Sequence, residues 1–206
     1  MAWRRGGAKQ RRGTPVDLLI VGLANPGSEY EGTRHNIGGE VIEHLAARLG
    51  VSLKIEPRQR ARFAEATVAG RRIGLAIPTT YMNESGAAMP ALLERCGIDD
   101  PAQVVVVHDE LDLEPGRLQL KVGGGIAGHN GLRSIKSAMK TGDFVRLRVG
   151  VGKPPHRDAG ASWVLSRPSR SDRELLAQSV VEADDSIEIL VAHGVDHAMT
   201  IVNKRG

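Results

Sequence analysis

Thr33-Arg34-His35-Asn36 places an imidazole just after the first apolar run of the chain, Asp17-Leu-Leu-Ile-Val-Gly-Leu-Ala24, and its stop signal Asn25-Pro26-Gly27. Histidine is the side chain whose ordinary titration falls near neutral pH. At the junction of a strand and a helix in an α/β sheet it is placed to act as a general base. Further polar groups stand where other apolar runs stop: Tyr81-Met82-Asn83, His108-Asp109-Glu110 and, beyond Gly123-Gly124-Gly125, His129-Asn130. Ligands bind at the carboxyl ends of strands in such sheets. Asn25, His35, Asn83, Asp109 and Asn130 are therefore expected to converge on one crevice. Taken singly, each asparagine also reads as local structure. Asn25 is turn chemistry before Pro26-Gly27, Asn83 an N-cap for the helix expected after it, and Asn130-Gly131 a turn or cap.

The elements that must position these groups follow from hydrophobic periodicity. Apolar runs predict strands at 17–24, 62–69, 72–78, 103–108, 117–122 and 145–151. Gln103-Val-Val-Val-Val107 is apolar on both faces, as a central strand covered by helices would be. Helical patterns occupy about 35–50, 83–96, 130–141 and 172–193, with a short one near 196–203. Their alternation predicts one three-layer α/β domain over residues 15–206, a mixed, largely parallel twisted sheet flanked by helices. Pro154-Pro155-His156-Arg157 and Ser166-Arg-Pro-Ser-Arg-Ser171 read as loops rather than linkers, and no internal repeat is visible.

Composition excludes several functions. No apolar run approaches a membrane span. Cys96 is the single cysteine, which excludes a disulfide framework and a zinc finger and fits a reducing cytoplasm. The formal net charge is +4, but residues 1–14 carry Arg4, Arg5, Lys9, Arg11 and Arg12 and no acid, so the body holds −1. The basic arm is too polar to bury and is expected to be disordered. Arg133 to Lys153 is locally basic, which is where a polyanion is expected to lie. Gly123-Gly-Gly-Ile-Ala-Gly128 matches a dinucleotide fingerprint in spelling, but it follows a strand that alternates like an exposed one and comes late in the chain. It reads instead as a flexible approach to a substrate backbone. His108 and Glu110 lack the P-C-x-x-C partner of a zinc deaminase. His193 and His197 are separated by the helix-ending Gly194 and read as surface histidines.

Val21-Gly-Leu-Ala-Asn-Pro-Gly27, Thr33-Arg-His-Asn36, Tyr81-Met-Asn-Glu-Ser-Gly86, His108-Asp-Glu-Leu-Asp112, Gly123-Gly-Gly125, Gly128-His-Asn-Gly131 and Arg146-Leu-Arg-Val-Gly-Val-Gly152 together resemble the bacterial-type peptidyl-tRNA hydrolases. The resemblance runs from about Asp17 to Asn203, with the motifs in order, and leaves the basic arm outside. It implies a monomeric α/β hydrolase, without cofactor or metal, that cleaves the ester between a stalled peptide and the 3′ ribose of tRNA. By this resemblance His35 is the catalytic base, Asp109 its carboxylate partner, and Asn25, Asn83 and Asn130 position the peptide and the attacking water. Tyr30 would meet the 3′-terminal end of the tRNA, Met82 and His129 would line the pocket, and Lys121 and Arg148 would meet tRNA phosphate. Gln119 departs from members with a second lysine there, and Ile126-Ala127 from a glycine-richer run. A catalytically idle RNA-binding relative remains the alternative, since a chloroplast intron-splicing protein is similar to this family, and a nucleotide-binding enzyme is a weaker third reading.

Overall fold

The computed structural model describes residues 15–156 and 159–204. The expected basic arm, residues 1–14, lies outside the described residues. In chain order the elements are β1 (Leu18–Gly22), α1 (Ile37–Arg48), β2 (Lys54–Glu56), β3 (Ala61–Val68), β4 (Arg71–Pro78), α2 (Met89–Cys96), β5 (Val104–Glu110), β6 (Leu118–Val122), α3 (Asn130–Met139), β7 (Val145–Gly150), α4 (Gly160–Val164), α5 (Arg170–His193) and α6 (Val195–Val202). Short 3-10 helices include Ser28–Tyr30, Arg34–Asn36 and Met82–Ala88.

The seven strands run in the order β2-β3-β4-β1-β5-β7-β6. The β4-β1-β5-β7 centre is parallel, and antiparallel pairings of β2 with β3, β3 with β4 and β6 with β7 finish the edges. The sheet is thus mixed and largely parallel. Alternate residues feed its two faces, as the pleat requires. Ile20, Val105, Val107 and Leu147 pack under α1, α5 and α6, whereas Leu19, Val21, Val104 and Val106 pack under α2 and α3. Val104 to Val107 are fully buried, which explains why that run shows no alternation. In α1 the buried Ile37, Gly38, Val41, Ile42, Leu45 and Ala46 form one stripe, the spacing of a helix with a single covered face.

Departures from the sequence reading are local. The helix expected over 83–96 is a 3-10 helix followed by α2, whose first turn holds Pro90 and whose end is Gly97 in the left-handed conformation (φ +65°). Gly86 of the 3-10 stretch lies against the Ser134 carbonyl of α3, with no room for a Cβ. β2 has three residues, too few to show a period, and its Ile55 is exposed. Between the two expected loops stands α4, a helix of five residues.

Candidate active site

His35 belongs to the 3-10 helix Arg34–Asn36, which ends where α1 begins. That turn is pinned from both sides. The Thr33 hydroxyl donates to the Tyr30 carbonyl at 2.7 Å, and the Arg34 backbone N–H donates to the Ser166 carbonyl at 3.2 Å. Next comes Gly38, where a Cβ would strike the Val107 carbonyl oxygen and lie 2.7 Å from the Leu23 nitrogen. The start of α1 therefore rests directly on the ends of β1 and β5. This close approach brings His35 to Asp109, one strand over and 74 residues away in sequence.

His35 Nδ1 lies 2.8 Å from Asp109 Oδ1, with both side chains buried. A second imidazole meets the same oxygen: His129 Nε2 stands 2.9 Å from it. His129 Nδ1 accepts from the Gly131 and Leu132 backbone N–H groups at 3.1 and 3.3 Å, capping α3. An accepting Nδ1 puts the proton of neutral His129 on Nε2, which therefore donates to Asp109. Burial raises the Asp109 pKa, but the charges and hydrogen bonds of His129 and His35 outweigh it and hold the carboxyl well below the usual carboxylate range. An ionised carboxylate only accepts, so His35 donates from Nδ1, and the neutral ring then carries its lone pair on Nε2. That nitrogen makes no hydrogen bond among the described residues. The arrangement is an imidazole held in one tautomer.

His108 lies beneath the pair. Its Nδ1 donates to the Asp109 carbonyl at 2.7 Å, and its ring meets that of His129 edge-on at 5.0 Å. Burial, and then the neighbouring His129, push its pKa down to about 3, so it is neutral at physiological pH. The donor atoms of His35, Asp109 and His129 all lie within 4.8 Å of one another, the only such candidate cation cluster among the described residues. The tautomers argue against ligation: with Nδ1 of His129 accepting from the backbone, its Nε2 bears a proton and has no lone pair for a metal.

The expected convergence is partial. His35, Asp109, His129 and Asn130 line a pocket of about 320 Å³ walled by Ile126 to Gly128 and by Gly160, Ala161 and Val164. Asn130 also borders a neighbouring cleft of about 520 Å³ with Asn83. Asn25 lines neither but faces a larger cleft of about 910 Å³ between α1, α5 and β4, where Glu40 pairs with Arg173 and Glu43 with Arg62. Asn25 is held rigidly: Asn36 accepts from its N–H at 2.8 Å and donates to its carbonyl at 3.0 Å, and Asn25 Oδ1 accepts from the Met82 N–H at 2.8 Å. Its Nδ2 is left without a hydrogen bond among the described residues. Asn83 and Asn130 serve as no cap. Asn83 lies inside the 3-10 helix, and α3 is capped by His129, with Asn130 Oδ1 accepting from Arg133 at 3.1 Å. Both amides are exposed.

Tyr30 packs edge-on against the exposed Tyr81, with ring centroids 6.4 Å apart. Lys121 is exposed on the edge strand β6. Arg148 is not a free cation. Its Nη2 lies 2.7 Å from Glu110, and its Nη1 donates to Gln119. The sequence reading gave no role to Arg146, which is buried and donates to the Gly125 and Gly124 carbonyls at 2.6 and 3.0 Å. This arginine holds the glycine loop that walls the pocket. Its sequence signal was a strand that alternates apolar and basic residues, Val145-Arg146-Leu147-Arg148-Val149. The bond from His129 to Asp109 had none, since nothing local relates residues 109 and 129.

A family model described as peptidyl-tRNA hydrolase matches residues 19–206. The chain is 46% identical over 189 residues to a peptidyl-tRNA hydrolase of Mycolicibacterium vanbaalenii, covering 92% of this chain and 98% of that one. It is 45% identical over 186 residues to one of Mycobacterium tuberculosis, covering 90% and 97%. The fold superposes on the crystal structure of peptidyl-tRNA hydrolase from Acinetobacter baumannii with a TM-score of 0.86 at 36% identity, over 93% of this chain and 98% of that one.

Proposed function

The chain belongs to the peptidyl-tRNA hydrolase family, and from that premise we propose that it cleaves the ester between a peptide and the 3′ ribose of tRNA, with His35 as general base and Asp109 as its partner. The observation that carries this reading is the pair of imidazoles on one Asp109 oxygen, which leaves Nε2 of His35 as the unprotonated nitrogen. A carboxylic ester needs an activated water and a donor to the developing oxyanion. His35 Nε2 takes the proton from water as the oxygen attacks the carbonyl carbon, and Asp109 stabilises the imidazolium. The proton then passes to the departing ribose oxygen. A base so placed contributes about 10²–10⁴ in rate. One amide aimed at the oxyanion would add roughly 10²–10³.

Asn83 and Asn130 would hold the peptide backbone, with Met82 and His129 beside them, and Tyr30 would meet the terminal nucleotide. Lys121 would contact phosphate directly, whereas Arg148 must first exchange Glu110 for phosphate, which weakens its share. The protein is proposed to act as a cytoplasmic monomer without metal or other cofactor. No helix among the described residues is long and apolar enough to cross a membrane. The test is release of peptide from peptidyl-tRNA by purified protein. His35→Ala is expected to abolish turnover while the fold persists by circular dichroism, and full activity in that variant would sink the mechanism. A wild-type chain that binds tRNA and releases no peptide would instead favour the idle RNA-binding alternative.

A further inference from the structure

Arg34 is 3% exposed, and its guanidinium is met at Nη1 and Nη2 while Nε has no hydrogen-bond partner among the described residues. Nη1 donates to the Ser166 hydroxyl at 2.8 Å and to the Arg167 carbonyl at 3.1 Å, and Nη2 stands 3.3 Å from the Asp172 carboxylate. The guanidinium carbon lies 3.7 Å from the centroid of the Trp163 ring. Trp163 in turn donates from Nε1 to the Gly152 carbonyl at 2.9 Å, and Ser166 closes the turn by donating to the Trp163 carbonyl at 2.7 Å. Trp163 lies on α4, Ser166 and Arg167 follow its end, and Asp172 lies in the first turn of α5, while Gly160, Ala161 and Val164 of α4 form one wall of the His35–Asp109 pocket. One side chain therefore ties that wall to the turn carrying the base.

We propose that Arg34 is a positioning residue that holds α4 against the pocket and so sets how closely the acyl end of the substrate is enclosed beside His35. The proposal rests on the hydrolase reading above. A helix of five residues does not persist on its own propensity, so its place depends on what anchors it. The wall it offers is small and apolar, with no group that could take part in proton transfer, so its loss should weaken substrate binding more than the chemical step. Lysine at position 34 would keep the charge, but it has neither the planar face that stacks on Trp163 nor the fork that reaches Ser166 and Arg167 together.

The experiment compares Arg34→Lys, Trp163→Ala, their double mutant and Trp163→Phe, by steady-state hydrolysis of peptidyl-tRNA and by amide hydrogen exchange over residues 160–166. Arg34→Lys and Trp163→Ala should each raise KM by about five- to tenfold, the scale of a lost cation–π contact, with kcat changed by less than about twofold. The double mutant should be no worse than either single, Trp163→Phe should restore KM by keeping an aromatic face, and exchange over 160–166 should quicken while α1 stays protected. A lower melting temperature with unchanged KM would reduce Arg34 to a stability residue and overturn the proposal, as would a fall in kcat at constant KM. If the wild-type chain releases no peptide, the hydrolase reading fails instead. Unchanged exchange over 160–166 in Arg34→Lys would then still refute the clamp, and faster exchange would uphold it.

Discussion

Asp109 is one carboxylate shared by two imidazoles, and the two contacts differ in what removing them does. His129 caps α3 with Nδ1 and steadies Asp109 with Nε2. Asparagine can cap a helix as well as histidine but is too short to reach Asp109. His129→Asn should therefore leave the melting temperature near that of the wild type and lower kcat about tenfold, the equivalent of one orienting contact of about 1.4 kcal/mol. An unchanged kcat would confine His129 to capping. His108 is tested by pH. Its folded pKa of about 3 lies below the ordinary histidine value, so below about pH 6.5 the unfolded chain binds a proton that the folded one refuses. Its contribution is thus a stability that falls as pH drops from about 6.5 towards 3, by up to about 1.4 kcal/mol per pH unit. Asp109 acts in the same direction further down, because its depressed pKa makes the folded carboxylate resist protonation. Denaturant titrations of His108→Phe across this window should show a slope shallower by close to one proton. An unaltered slope would mean that His108 is already charged in the fold.

At the scale of elements, the site exists because α1 lies against the ends of β1 and β5 without intervening side chains. Gly22 and Gly38 make this contact: a Cβ on Gly22 would meet the Gly38 carbonyl, and one on Gly38 the Val107 carbonyl. Backbone atoms cannot swing aside as a side chain can. Gly38→Ala should therefore lift the start of α1, costing about 1–3 kcal/mol as overpacking does and lowering kcat through displacement of His35. Denaturant melts and peptidyl-tRNA hydrolysis on the same preparation check it, and loss of stability with full specific activity would show that the His35–Asp109 distance tolerates the shift. The same logic explains which elements could be read from the sequence. β1, β5 and α1 were legible because each buries a long apolar pattern. α4 and β2 were not, because each holds few residues, and α4 also owes its place to a partner distant in sequence, Arg34.

For the whole molecule, the first strand begins at Leu18 and the family match at residue 19, and residues 1–14 are proposed to take no part in turnover. Deleting them should leave kcat and KM within about twofold, while a large rise in KM would show that the five basic residues grip tRNA. With Lys121 and Arg148 as the two proposed phosphate contacts, the logarithm of affinity should fall with the logarithm of salt at a slope of roughly −1.4 to −1.8. The sequence by itself determined the fold class and singled out His35 and Asp109 as candidates, because those depend on periodicity and on polar residues at strand ends. It also suggested one crevice for all the amides, and here the tertiary structure decided otherwise. Asn130 joins His35 and Asp109, Asn83 borders the adjoining cleft, and Asn25 is braced by Asn36 and Met82 on another side. Only the tertiary structure could put His35 and His129 on the same oxygen or turn Arg148 toward Glu110. Hydrogen bonds between residues tens of positions apart are set by how helices seat on the sheet, and no local pattern in the chain records that.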